Sequence, residues 1–300
     1  MTAHSPANIE NGSAVRVDGT NRQDWLGELV DAAKLTPKGQ ELAHFLAVNP
    51  RLAIFGSASE VAEKCEMNVA TVVRFAQALG FSGWREFQVN FRGRHLSGLL
   101  PSDVMAAQGT GYARSSIDEA LHRDIHNLHG ALHSLDRAAA ESAARAIADA
   151  PYTLCISSGS YSSVGLVLTH LASFMGYPIV FESRGGPHIV AAMSRLKPGD
   201  CLVAISFWQL VKHVVLAAEH CRNQGITTIA ITDSAFSPLA RGVDHPLVVP
   251  TESVSFFQSM TAATSVVYGL LARLQELGGD EVTRTISLAQ AMYAELDVLV

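Results

Sequence analysis

The chain has 300 residues, 48% of them hydrophobic and 17% charged, and a net charge of −6. That is enough apolar material for a full-sized core and enough length for about two domains. The acidic balance excludes a uniformly basic body that coats nucleic acid, and no apolar run is long enough to span a membrane. The four cysteines, Cys65, Cys155, Cys201 and Cys221, form no C-x-x-C pair. They read as small buried hydrophobes of a reducing cytoplasm, with neither a metal site nor a cofactor implied.

Residues 1–22 are polar, rich in Gly, Asn and Ser, and lack a signal pattern, so they are expected to form a disordered tail. Helical spacing then covers Asp24 to Ala33 and Pro37 to Val48. Thr36 before Pro37 supplies a hydroxyl cap and a proline at the first helical position, and Asn49-Pro50 is expected to end that helix. Two short helices follow, Ser57 to Lys64 and Asn68 to Leu79, the second closed by Gly80. A further helix from Ser82 to Gly93 carries Trp84, Phe87 and Phe91 on one face.

The pair of short helices reads as a helix-turn-helix. Asn68 can cap the second helix, Ala62 and Ala70 permit close crossing, and Val73, Ala76 and Leu79 can face the core. Asn68, Thr71 and Arg74 lie three apart and share an exposed face. In a helix-turn-helix that face enters the major groove of double-stranded DNA. There Arg74 meets a guanine edge or a phosphate, and Thr71 either one. From Arg74 to His95 the chain carries four Arg and one Glu, a local charge of +3, and Arg85, Arg92 and Arg94 are expected as phosphate anchors. The plainer reading is a three-helix bundle with a solvated arginine. Residues 23–99 thus form the first domain, and residues 100–115, aperiodic and holding Pro and Gly, form a linker.

The second domain spans 116–300. Helical stretches from Ser116 to Leu135 and Asp136 to Ala148 precede five apolar runs: Tyr152–Ile156, Ile179–Phe181, Cys201–Ile205, Ile226–Ile231 and Leu247–Val249. Runs that are apolar on both faces, separated by crossover-length helices, suit a five-stranded parallel sheet in a three-layer α/β sandwich. The whole is therefore a multidomain α plus α/β chain. A long helix is expected from Phe256 to Leu277, and another from Leu288 to Leu299.

Three strand-to-helix loops are candidates for ligand binding at the carboxyl edge of the sheet. Ser158, Ser160, Tyr161 and Ser162 open a helix after the first strand, so hydroxyls and free N–H groups can form an oxyanion site or simply cap the turn. Arg184 and His188, after the second strand, can hold a carboxylate or phosphate; otherwise they belong to a glycine-rich surface turn. The third loop, Ser206-Phe207-Trp208-Gln209-Leu210, puts aromatics where small residues usually cradle an anion. Phe207 and Trp208 offer flat faces to a sugar ring, with Phe256, Phe257 and Gln258 able to close the site, or they pack into a subunit interface.

The segment "SASEVAEKCEMNVATVVRFAQALGFSGWREFQ", with A-T-V-V-R-F at Ala70–Phe75 and L-G-F-S-G at Leu79–Gly83, resembles the N-terminal domain of RpiR-type bacterial transcription regulators. The resemblance runs from about Lys34 to nearly the end. "ITDSAFSPLARGVDHPLVVP" at 231–250 is similar to the SIS sugar-isomerase domain of that family. It implies a homodimer or homotetramer on a palindromic operator, answering to a metabolite that is commonly a phosphorylated sugar. In the family's S-x-S-G-x-T loop, Ser206 matches the first Ser, while Trp208, Gln209 and Val211 replace the second Ser, the Gly and the Thr. In the family's G-x-G-x-S loop, Tyr161 stands at the usual phosphate-binding Ser. With both motifs altered, a neutral sugar, polyol or small carboxylate is expected over a sugar phosphate. Asp233 is expected to cap the turn at Ser234–Ser237.

The leading expectation is a cytoplasmic regulator of carbohydrate or related carbon metabolism. The alternative is a sugar-phosphate isomerase with an appended helical domain, drawing its base from His188, His213 or Glu252. A third possibility is an oligomeric DNA binder without a ligand.

Overall fold

The computed structural model describes residues 20–96, 117–208, 210–254 and 257–298. Most of the expected tail, the expected linker, Gln209, Phe256 and the Arg94 side chain lie outside what is described.

The N-terminal part is all-α: α1 (Thr20–Ala32), α2 (Pro37–Val48), α3 (Pro50–Phe55), α4 (Ala58–Lys64), α5 (Val69–Ala78) and α6 (Trp84–Leu96). The first helix thus begins inside the segment expected as tail. The caps explain most of the other starts. The Thr36 side chain accepts from Gly39 N at 3.2 Å. Ser57 and Glu60 form a reciprocal capping box at the start of α4, and Asn68 accepts from Ala70 N at 2.8 Å. Asn49-Pro50 ends α2, but the chain turns at once into α3. Proline is at home in a first helical turn, where its missing N–H has no partner to lose.

Helix α5 buries Val72, Phe75 and Ala76, and Leu79 at its C-cap completes the i, i+3, i+4, i+7 stripe of an amphipathic helix. Ala76 and Leu79 are buried as expected, whereas Val72 takes the place expected for Val73, which is only half-buried, and Ala70 is exposed. The bulk of Phe75 accounts for this: its ring meets Phe87 at 5.5 Å, edge to face. Phe87 and Phe91 are fully buried with Trp84 beside them. The Trp84 indole N–H, which burial would otherwise strand, donates to Gly56 O at 3.1 Å.

The C-terminal part runs α7 (Ile117–Ser134), α8 (Arg137–Asp149), β1 (Thr153–Ile156), α9 (Ser162–Phe174), β2 (Ile179–Glu182), α10 (Gly186–Met193), β3 (Cys201–Ile205), α11 (Lys212–Asn223), β4 (Thr227–Thr232), α12 (Pro238–Arg241), β5 (His245–Val248) and α13 (Thr261–Glu295). The five strands are all parallel, in the order β2-β1-β3-β4-β5. Strand alternation sorts the core into two layers. Cys155, Val203, Ile205, Ile229 and Ile231 pack against α8, α9 and α13. Leu154, Ile156, Leu202, Ala204 and Ala230 pack against α10, α11 and α12. Cys155, Cys201 and Cys221 are buried within these layers, and burial raises their thiols, Cys221 to about 11. The strand order reverses between β1 and β3, which puts a crevice between the loops that follow them. Among the described residues, no helix is long and apolar enough to cross a membrane.

Candidate functional site

At the face expected to read DNA, the side chains follow from the helix geometry. Asn68 and Arg74 are exposed and Thr71 half-buried, and Arg74 Nη2 reaches Thr71 Oγ1 at 3.5 Å. These three share one surface at the start of α5. Arg85 and Arg92 do not join it. Arg92 donates through Nε and Nη2 to Ile54 O, at 3.0 and 2.7 Å, closing the end of α3. Arg85 points into the second domain, where Nε meets Glu252 Oε1 at 3.1 Å and Nη2 meets Asn127 Oδ1 at 3.2 Å. Its Nη1 contacts His126 Nε2. The guanidinium of Arg85 holds the His126 imidazole below its usual range, with some help from desolvation.

At the crevice between β1 and β3, two aromatic rings meet. A 3₁₀ turn at Gly159–Tyr161 brings the Tyr161 ring onto Phe207, edge to face at 5.4 Å and 77°. Phe207 is fully buried, and burial raises the Tyr161 hydroxyl well above its usual range. Ser206 is fully buried too, its hydroxyl accepting from Val211 N at 3.1 Å. Ser160 is exposed, its carbonyl taking the Ser163 hydroxyl at 2.9 Å, while Ser158 and Ser162 are half-buried. On the β2 side, Arg184 folds back on its own strand: Nε and Nη2 grip Glu182 at 3.1 and 2.6 Å. That grip lowers the Glu182 carboxyl. His188 is exposed. Of the expected ligand residues, the structure joins Tyr161 to the third loop and pairs Arg184 with Glu182 at the end of the edge strand β2.

Trp208 turns the other way. It stands at φ +50°, and its side chain packs against the apolar cluster of the N-terminal helices. Asp233 does not cap the turn that follows it. Its carboxylate reaches across to Trp208 N at 3.0 Å, while Ser234 Oγ accepts from Phe236 N at 3.2 Å and Ser237 caps α12. Desolvation raises the Asp233 carboxyl above its usual value. Around Trp208 the two domains form a seam. Phe81 meets Phe236 at 4.9 Å, Ser234 Oγ donates to Asn90 Oδ1 at 2.6 Å, and Arg123 joins Arg85 on Glu252 at 3.3 Å. The fully buried Asn127 donates to Glu252 O at 2.7 Å. A cavity of about 240 Å³ lies within this seam, between α6 and the ends of β4 and β5.

Two family models match the chain. Residues 30–97 match the helix-turn-helix domain of the rpiR family, and residues 147–273 match the SIS domain. The chain belongs to the RpiR-type transcription regulators. Its second domain is similar to the sugar isomerase domain of the RpiR transcription factor from Sphaerobacter thermophilus, at 27% identity and a TM-score of 0.56, over 58% of this chain and 97% of that one. The Vibrio vulnificus NanR protein, solved with ManNAc-6P, shares the fold over 92% of this chain and 99% of its own, at 20% identity and a TM-score of 0.59. This regulator is thus a DNA-binding protein whose second half is built on a sugar-isomerase scaffold. The seam is what sequence reasoning missed. Arg85 and Glu252 are separated by 167 positions, and neither lies in a motif that announces the other. The only hint was a positively charged α6 following a helix-turn-helix.

Proposed function

We propose that this regulator controls genes of carbohydrate or related carbon metabolism, and that a small metabolite in the SIS-like domain sets its DNA affinity. The division into a DNA-binding unit at 23–99 and a sensing and oligomerising unit at 116–300 belongs to the same reading. Asn68, Thr71 and Arg74 read base edges or phosphates of a palindromic operator in the cytoplasm. Arg85 and Arg92, whose donors are engaged inside the protein, serve the seam and the helix-turn-helix core. The observation that carries the reading is that α6, immediately after the DNA-reading helix, lies directly on the carboxyl edge of the sheet. A ligand at that edge changes DNA affinity if it binds two poses of α6 unequally. Oligomerisation is supported by the exposed apolar stripe of Ile117, Leu121, Ile125 and Leu132 on α7, which a second copy can cover.

The chain acts without turnover. Both Glu252 oxygens are held by arginines, so this carboxylate is not placed as a base. His213 packs against Gly185, and His188 is exposed beside an arginine that is itself paired. Selection of duplexes from a random pool, followed by gel-shift titration, tests the proposal. A palindromic site is expected. Arg74→Ala is expected to weaken binding by about 1–3 kcal/mol and to reduce the salt slope by about one. Failure to enrich any sequence, or measurable turnover of aldose or ketose phosphates, would sink it.

A further inference from the structure

We propose that the seam cavity is a binding site for a small uncharged polyhydroxy molecule, with α6 of the DNA-binding domain as one wall. This rests on the regulator reading and deepens it. At the β1–β3 crevice the Tyr161 ring packs on Phe207. The seam cavity lies elsewhere on the same edge, beyond Trp208, against Asp233 and the ends of β4 and β5. Its volume of about 240 Å³ is below the ~300–1,000 Å³ of sites for drug-sized ligands, which suits a small one.

The lining chooses the chemistry. Two guanidiniums, Arg85 and Arg92, face three carboxyls, Glu86, Asp233 and Glu252. The arginines already hold Glu252, Asn127 and Ile54 O. A phosphate would therefore enter a lining with more carboxyls than guanidiniums, and Arg85 would have to give up existing partners to hold it. The same guanidiniums repel a cation. A neutral molecule pays neither cost. Its hydroxyls can donate to carboxylate oxygens, above all to Asp233, which lines the cavity beside Trp208. Its C–H face can lie on Trp208, Val89 and Pro250, which also line the space. A ligand held there touches α6 and the sheet edge together, so its binding acts directly on the pose of the DNA-binding domain.

The test uses the full chain, with Trp fluorescence and thermal shift read against D-glucose, D-mannitol and myo-inositol, each with and without a monophosphate. Saturable binding of at least one unphosphorylated member is expected. Val89→Trp fills the cavity from α6 and should weaken that binding tenfold or more. If Val89→Trp does not fold, Asp233→Asn decides, since it keeps the shape, removes the acceptor charge and should also weaken binding. Tighter binding of the phosphorylated members that is lost in Ser160→Ala would move the ligand to the β1 loop and overturn the proposal. So would the absence of binding by every unphosphorylated member. Gel shifts on the same samples separate the two readings: operator binding without polyol binding overturns only the cavity, whereas no operator binding overturns the regulator.

Discussion

Trp208 holds a backbone conformation, φ +50°, that side chains other than glycine avoid. It persists because both ends of the residue are fixed. The N–H is held by Asp233 and the indole is packed among residues of the N-terminal helices. Asp233 bears the cost of that arrangement in its own ionisation. Its folded pKa is raised by burial, so the folded state holds the proton more tightly than the unfolded chain does. The folded state is favoured most below the ordinary carboxylate value of about 4, and that advantage is lost as pH rises through the raised folded value. Asp233→Asn keeps an acceptor for Trp208 N but cannot ionise. Its melting temperature should therefore gain on the wild type as pH rises, with the gap larger at neutral than at acidic pH. A gap that is constant with pH would show that Asp233 titrates normally.

At the scale of one element, α13 shows how glycine can break a helix without ending it. Gly279 sits at φ 51° and ψ −125° inside a span of 35 residues. Before the break the helix buries Ala262, Ala263, Val267, Leu270, Leu271 and Leu274; beyond it, among the described residues, only Val282 is buried. The helix end expected at Leu277 falls just before Gly278-Gly279, and therefore marks a kink and not a terminus. The two glycines serve different ends. A Cβ on Gly278 would stand 2.3 Å from Val282 Cγ2 and 2.8 Å from the Tyr177 hydroxyl. A Cβ on Gly279 would meet nothing within 4 Å. Gly279→Ala therefore isolates the backbone cost and should destabilise by about 1–3 kcal/mol in urea unfolding. An unchanged midpoint would mean the kink is not maintained in solution.

At the scale of the whole molecule, the seam makes the two domains depend on each other. Glu252 has a side chain only 14% exposed and is held by Arg85 and Arg123 together. Removing Arg85 leaves a largely buried carboxylate with one partner and Asn127 Oδ1 with a donor lost, a cost of about 1.5–3 kcal/mol. Arg85→Ala should raise amide exchange in α6 and α7 while the central strands β1 and β3 keep their protection. Uniform protection across the chain would mean the apolar contacts of Phe81, Phe236 and Trp208 suffice for the seam.

The five strands, the caps at Thr36 and Asn68, and the helix-turn-helix were legible because each depends on residues a few positions apart: continuous apolar runs, a hydroxyl before a first turn, a three-residue spacing on one face. The composition of the third loop marked Phe207 and Trp208 as unusual, and the family's loop motif marked Tyr161. They could not say which way Trp208 turns, that Arg184 grips Glu182, or that Arg85 leaves the DNA face for Glu252. Those outcomes depend on which distant surfaces meet. A charged side chain takes whichever partner the packed domains bring within reach, and no periodicity along the chain encodes that choice. The sequence by itself determined the elements and the family of the regulator; the tertiary structure alone decided that the DNA-binding domain forms a wall of the cavity at the sheet edge, because that cavity exists only where the two domains are packed together.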